Sequence, residues 1–147
     1  MCDVASGMKL KIPSNMIYLK PVRAFVKELA ENTGFGHEKA NDIELAVDEV
    51  FTNAIEHGSA DTKSPVIIQC LPTDKMIKIT VSDTGNGKPP GRKLIKAWKN
   101  AVREKTKSGT ERGHGLLLAH NLTDEMSMES NPTGGVDIHL VIYKEEG

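Results

Sequence analysis

The sequence predicts an α+β fold: a two-layer sandwich in which one mixed, mostly antiparallel sheet is covered by helices on one face. Five short segments alternate between apolar and polar residues, as half-buried strands do. Longer stretches between them carry apolar residues every three or four positions, which indicates amphipathic helices. Such elements pack as two layers around one core. A chain of 147 residues is long enough to bury that core as a single domain, which we assign to residues 1–147.

The strands are predicted from their alternation, and they are expected at 8–12, 66–70, 77–81, 126–128 and 136–142. In the third of these, Ile77, Ile79 and Val81 alternate with polar residues. The segment 72–75 is short and polar, so the strands on either side of it should form an antiparallel hairpin.

Three helices are predicted between the strands. The first spans about 14–32, with Ser14 as its N-cap and Gly34 as its stop; Pro21 would sit inside it, which moves its expected start toward Leu19. The second spans 37–57 and stops at Gly58, with an apolar stripe at every third or fourth position. The third covers about 92–105.

Composition restricts the classes of function. With 38% hydrophobic residues, a net charge of −1, and neither a membrane-length apolar run nor a signal-peptide pattern, we expect a cytoplasmic protein that binds no nucleic acid and no membrane. Cys2 and Cys70 are too few for a disulfide framework or a cysteine-rich zinc site. The charge is uneven, however, because residues 88–112 hold nine Lys and Arg against two Glu.

The second helix carries the first motif that indicates chemistry. Glu49, Asn53 and His57 are spaced i, i+4 and i+8, so they stack along one side of the helix, beside its apolar stripe. A carboxylate and an amide oxygen one turn apart can hold a hydrated hard cation or orient a nucleophile. The alternative is a polar helix flank without function.

Two glycine motifs follow. After the strand that ends near Ser82, the chain reads Asp83-Thr-Gly85-Asn-Gly87, in which the carboxylate can accept a hydrogen bond from an exocyclic amine and the glycines let backbone approach a flat ligand. Later, Gly113-His-Gly115 opens an apolar helix, whose free N–H groups suit a phosphate. Taken singly, each motif can also be an ordinary glycine turn.

Together and in this order, the three motifs resemble the nucleotide site of the GHKL superfamily (the Bergerat fold), over about residues 8–143. The Glu-x-x-x-Asn-Ala-x-x-His-Gly helix ending at Gly58 is similar to that of the bacterial anti-sigma-factor serine/threonine kinases. The segments Val22-Arg-Ala-Phe-Val26 and Leu122-Thr-Asp-Glu125 are also similar to that family.

The resemblance implies a role for each matching position. Asn53 would coordinate Mg²⁺, Glu49 would be the catalytic base, and Asp83 would bind the adenine amine. ATP would further contact residues placed around these three, namely His57, Gly85, Gly87, Arg112, Gly113, His114, Gly115 and Leu116. Arg112 is the candidate for a γ-phosphate contact, and His114 is a spacer between glycines.

The basic segment 88–112 lies where this family carries its ATP lid, and its positive charge would favour closure over a triphosphate. Trp98 in this segment lines the lid, docks a partner or packs onto the body, the last being the commoner outcome for a lone Trp. One position departs from the family. Val136 follows the last glycine turn, where a Thr or Ser is common, so that hydrogen bond is either missing or supplied by Thr133.

The resemblance implies phosphoryl transfer from Mg²⁺-ATP to a serine or threonine of a STAS-type anti-anti-sigma protein, with a sigma factor sequestered in turn and with a homodimer. Four alternatives remain. They are a nucleotide-gated binding module without transfer, a switch kinase acting on a phosphatase-controlling partner, a detached histidine-kinase ATPase domain, and an α+β protein without nucleotide. The third lacks its helical hairpin with an acceptor histidine, and a gyrase-like or chaperone ATPase lacks room for its transducer domain.

Overall fold

The computed structural model describes residues 7–58, 61–85, 95–96, 98–100 and 111–145, and only the backbone of residues 111–114. A 3-10 turn at Met16–Tyr18 precedes the first helix. The strands are β1 (Met8–Pro13), β2 (Pro65–Pro72), β3 (Met76–Ser82), β4 (Glu125–Ser130) and β5 (Val136–Tyr143), and the helices are α1 (Leu19–Asn32), α2 (His37–His57) and α3 (Glu111–Leu122).

The five described strands form one sheet in the order β1-β2-β3-β5-β4. All four neighbouring pairs are antiparallel, so the expected mixed sheet has only antiparallel pairings in the described part of the chain. The predicted β2–β3 hairpin is confirmed, and Thr73 N donates to Met76 O at 2.7 Å to close its turn. The α+β fold class is therefore confirmed.

The core lies between the sheet and the helices. Strand alternation directs one face inward: along β5, Ile138, Leu140 and Ile142 are at most 2% exposed while the residues between them are half-buried. From the helices, Phe51 is the largest fully buried side chain among the described residues. Burial of that apolar area is the main favourable term that holds the two layers together.

The N-cap of α1 differs from the prediction, whereas its start at Leu19 agrees with the position that Pro21 indicated. Ser14 is not its N-cap; its hydroxyl donates to Ser64 O at 2.6 Å and ties the end of β1 to the start of β2. Asn15 instead caps the 3-10 turn through Ile17 N, and α1 begins at Leu19. Pro21 therefore lies in the first turn of α1. Backbone N–H groups in the first turn make no intrahelical hydrogen bond, so a proline costs the helix none there.

Helix α1 ends as predicted, at a glycine in the left-handed region. Gly34 has φ 107°, and Gly34 N donates to Glu31 O while Phe35 N donates to Ala30 O. This paired closure satisfies the last carbonyls of the helix and places the Phe35 ring, 6% exposed, in the core. Helix α2 then begins at His37 and ends at His57, the bounds predicted from the sequence.

Of the third predicted helix, 92–105, only 95–96 and 98–100 lie among the described residues, and these are helical. Trp98 is 6% exposed and its ring meets that of His120 edge to face, with centroids 5.5 Å apart. Trp98 therefore packs onto α3, which was the commoner of the expected outcomes. None of the helices described combines the length and the apolar character that a membrane span requires.

Candidate nucleotide-binding site

The polar flank of α2 lies at the border of the core, as its spacing predicts. Asn53 is 6% exposed, whereas Glu49 and His57 are half-buried. The adjoining stripe of the helix, which includes Val47 and Val50, is fully buried against the sheet. The helix thus holds one carboxylate and one amide on the same side, with a dry surface behind them.

The surroundings of Glu49 make its carboxyl a stronger base than an exposed glutamate. Burial raises the pKa of Glu49 above 4.5, and the charges of Asp48 and Glu56 raise it further. Asp48 is itself held by Arg23, whose Nη1 lies 2.8 Å from Asp48 Oδ2. A raised pKa brings the carboxyl closer to the working range of a general base.

Asp83 lies at the end of β3 with its carboxylate turned inward, and it is 5% exposed. Its Oδ1 accepts two backbone hydrogen bonds, from Gly85 N at 3.0 Å and from Val136 N at 3.1 Å. The second bond joins β3 to the start of β5, 53 positions later in the chain. The carboxylate is therefore fixed in one orientation by the backbone on both sides.

The last glycine turn contacts Asp83 through a backbone group. Val136 offers its amide to Asp83, while the Thr133 hydroxyl donates to Asn131 Oδ1 at 2.6 Å. The Thr133 hydroxyl therefore makes its hydrogen bond within the glycine turn itself. A main-chain N–H is present whatever the side chain, so valine is compatible with this hydrogen bond.

Asn131 is a site residue that the sequence analysis missed. Its Nδ2 donates to Asp83 O at 2.9 Å, and its Oδ1 accepts from Gly135 N at 2.9 Å. One side chain thus fastens the glycine turn onto the backbone of Asp83. The signal available in the sequence was the Asn-Pro pair that opens the turn, which indicates a loop but not its contact.

Two glycines leave room for Asp83. A Cβ at Gly58, directly after α2, would overlap the Asp83 carboxylate, and a Cβ at Gly135 would overlap both its backbone carbonyl and Oδ1. Gly85, with φ 82°, occupies the left-handed region, and a Cβ there would lie 2.7 Å from Gly134 O. The adenine-binding candidate is therefore a tightly packed junction of the end of α2, the end of β3 and the glycine turn.

Helix α3 brings the remaining motif to α2. It begins at Glu111, so the glycine pair lies within its first five residues, at the helix start that the sequence indicated. The Gly113 amide is among the first four, which have no intrahelical acceptor. Gly115 is the fifth residue, and a Cβ there would overlap Glu49 Oε2. The bare Cα of Gly115 lets the two helices meet at the proposed base.

The structure therefore brings the three motifs together along α2, with Gly115 at Glu49 and Asp83 at Gly58. These two contacts are nine residues apart on the helix, or about 14 Å at 1.5 Å per residue. Leu116 is 1% exposed, so its side chain supports the core. Other predicted site groups lie outside the described residues: Gly87, the side chains of Arg112 and His114, and most of the lid 88–112.

An antiparallel sheet under a helical layer, with this convergence, defines a GHKL-type ATPase fold. Residues 12–141 match the sequence profile of a protein family described as "histidine kinase-like ATPase domain". The chain belongs to this family.

Curated relatives of similar length are serine-protein kinases. The chain is 26% identical to serine-protein kinase RsbW of Bacillus velezensis, over 92% of this chain and 84% of that protein. It is 25% identical to the RsbW of Staphylococcus aureus, over 95% and 89% respectively.

Two solved structures share the fold. One contains the RsbU and RsbW domains of Rv1364c from Mycobacterium tuberculosis, with a TM-score of 0.67 and 20% identity. It matches 97% of this chain, which spans 34% of that longer chain. The other is the SiaB–SiaC complex from Pseudomonas aeruginosa, with a TM-score of 0.66, 13% identity, and coverage of 92% and 89%.

The packing at Gly135 gives a first testable prediction. Gly135→Ala is expected to lower the free energy of unfolding by about 2 kcal/mol, because the new methyl collides with backbone that cannot move aside. For a chain of this size that corresponds to a melting temperature lower by roughly 4–8 °C in a thermal denaturation scan. ATP affinity should fall as well, since the Asp83 carboxylate shifts.

The matched control is Gly7→Ala, whose Cβ would make ordinary contacts at 3.7 and 3.8 Å. Its melting temperature should stay within about 2 °C of the wild type. A Gly135→Ala protein as stable as this control would contradict the packing described for the glycine turn.

Proposed function

We propose that this chain is an ATP-dependent protein serine/threonine kinase of the anti-sigma-factor type. It acts in the cytoplasm as one domain of residues 1–147, with the ATP lid at 88–112, and forms a homodimer. The observation that carries the proposal is the convergence of Glu49, Gly115 and Asp83 along α2. The name serine-protein kinase, borne by the curated relatives, supports the class of reaction.

The chemistry of the described residues fits a magnesium nucleotide. Asn53 and Glu49 offer oxygen atoms, the ligands that a hard cation prefers, on one flank of α2. Asp83 offers a fixed acceptor for an exocyclic amine. Gly113 offers a helix N-terminal amide for phosphate. We assign Asn53 to Mg²⁺, Asp83 to adenine and Gly113 to the phosphates.

Glu49 is assigned as the catalytic base. Its carboxylate accepts the proton of the substrate hydroxyl as the oxygen attacks, and its raised pKa suits that task. Mg²⁺-ATP, when bound, supplies the phosphoryl group and neutralises developing negative charge. Gly115 leaves Glu49 in its position, and Arg112 is assigned to the γ-phosphate. The remaining residues of the set are assigned to ATP binding, namely His57, Gly85, Gly87, His114 and Leu116.

The proposed protein substrate is a STAS-type anti-anti-sigma protein, and the regulated protein is a sigma factor that this chain sequesters. The kinship with RsbW kinases supports this assignment. The solved structure of similar fold from Pseudomonas aeruginosa is a SiaB–SiaC complex, which supports a protein partner for this chain as well.

The test is capture followed by phosphate mapping. The purified chain is used to capture proteins from its own cells with Mg²⁺-ATP, with Mg²⁺ and a non-hydrolysable ATP analogue, and without nucleotide. We expect an ATP-dependent partner that carries a new phosphoserine or phosphothreonine only in the first sample. Capture in both nucleotide samples without any phosphorylated partner would overturn the kinase assignment in favour of a nucleotide-gated binding module.

A switch kinase acting on a phosphatase-controlling partner shares all the residues assigned above. Co-purification of a sigma factor distinguishes the two, because only the anti-sigma type should retain one when the STAS-type partner is phosphorylated.

A further inference from the structure

The face of the sheet turned away from the helices carries a cluster that the nucleotide site does not use. Along β5, Ile138 faces the core, while Asp137 and His139 point to the other face. In the pairing with β4, Glu129 lies directly opposite Asp137. Two carboxylates and one imidazole therefore share a small area of the sheet.

The positions of the three groups suit a single metal ion. One carboxylate oxygen of Glu129, one of Asp137 and one ring nitrogen of His139 all lie within 4.8 Å of one another. Ligands at about 2.1 Å from Zn²⁺ are roughly 3–3.5 Å apart, so separations near the 4.8 Å limit must shorten and the 2.7 Å between His139 Nε2 and Glu129 Oε1 must lengthen slightly. The Glu129 side chain is 64% exposed and free to make that adjustment, while the His139 side chain, 19% exposed, is held in place.

The environment of His139 orients it as a ligand. Its Nδ1 lies 2.9 Å from Thr80 Oγ1, and Thr80 is 9% exposed. Its Nε2 lies 2.7 Å from Glu129 Oε1, a hydrogen bond in which the ring nitrogen donates, and a bound metal ion would displace that proton. An imidazole that donates its Nδ1–H to an oxygen presents the Nε2 lone pair outward, which is the usual arrangement of metal-bound histidines. Thr80 can accept that hydrogen bond.

The carboxylates favour a cation between them. Like charges directly opposite in an antiparallel pair repel each other, and an ion bound to both removes that cost. Asp137 Oδ1 also accepts from Asn131 Nδ2 at 3.0 Å, which fixes its direction. We propose that Glu129, Asp137 and His139 form a binding site for a divalent transition-metal ion of the Zn²⁺ class, on the sheet face opposite α2. Three protein ligands leave a position for water or for a group from another molecule.

The test is calorimetric titration of the metal-free full chain with ZnCl₂, without nucleotide and in a buffer that does not chelate metal. We expect saturable binding of one equivalent. His139→Ala and Glu129→Gln should each weaken it at least 10-fold, and Thr80→Val, which removes the hydrogen bond to the ring, by roughly 10–100-fold. Co²⁺ in place of Zn²⁺ should give a visible absorption band in the wild type that His139→Ala loses.

The matched control is His37→Ala. His37 Nδ1 also lies near a glutamate, 3.2 Å from Glu31 Oε2, but this pair belongs to no three-ligand group in the described part of the chain. The His37→Ala variant should therefore bind Zn²⁺ with the same affinity as the wild type. The proposal is overturned by a wild type without saturable binding, or by Zn²⁺ affinity that persists in both His139→Ala and Glu129→Gln. Either result leaves the kinase assignment untouched.

Discussion

Glu49→Gln is expected to reduce phosphoryl transfer by about 10²–10⁴-fold while ATP affinity changes little. Glutamine keeps the size of the side chain and removes only its ability to accept the hydroxyl proton. A general base typically contributes about 10²–10⁴-fold to the rate, which is the loss expected here. Transfer is measured as labelled phosphate on the captured partner at saturating ATP, and affinity by calorimetry. Transfer within threefold of the wild type would remove Glu49 from the role of base.

The same variant, which is expected to slow phosphoryl transfer, is expected to make the folded protein more stable at neutral pH. A folded-state pKa above 4.5 means that the native Glu49 binds its proton more tightly than the unfolded chain does. Its stabilising contribution is therefore present below the unfolded pKa and is lost as the pH rises through the folded pKa. At pH 7 the ionised carboxylate is unfavourable, so the neutral glutamine should raise the melting temperature there, and the gain should vanish below about pH 4.5.

Two further variants sharpen this test. Glu28→Gln changes an exposed glutamate of α1 and should alter neither transfer nor melting temperature. Gly115→Ala should slow transfer without touching the carboxyl chemically, because its methyl displaces Glu49 Oε2. In the wild type, kcat/KM should fall as the pH is lowered through the raised pKa of Glu49.

Asp83→Asn is expected to weaken ATP binding by at least roughly 10–100-fold, the loss of a charge-assisted hydrogen bond of about 1.5–3 kcal/mol. The two backbone donors, Gly85 N and Val136 N, hold an oxygen at Oδ1, so the new amide NH₂ occupies the other position. There it meets the adenine amine donor to donor. Calorimetry with Mg²⁺-ATP measures the loss.

The variant should also change base preference. Guanine presents an oxygen acceptor where adenine presents its amine, so the asparagine NH₂ can donate to it. The preference for ATP over GTP should therefore narrow, an outcome that simple unfolding would not produce. Asp42→Asn on α2 is the matched control, with unchanged affinity and preference. An Asp83→Asn protein that keeps full ATP affinity would show that the adenine assignment is incorrect.

Local patterns determined much of this protein. The i, i+4 spacing of Glu49 and Asn53 fixes both on one flank of a helix wherever that helix packs. The alternation in β3 places Asp83 at a strand end, and Gly34 marks the end of α1 because a left-handed residue is needed there. The motif order carried the resemblance to the GHKL superfamily. These features depend on residues close in sequence, which is why they could be predicted.

Only the tertiary structure decided what these elements meet. Val136 N and Asn131 hold Asp83 from about fifty positions away, and Gly58 and Gly115 are required by side chains of other elements. No local period encodes such contacts. These contacts form when β5 lies between β3 and β4 and when α3 packs against α2. The need for a glycine or an asparagine at these positions is therefore visible only in the folded chain.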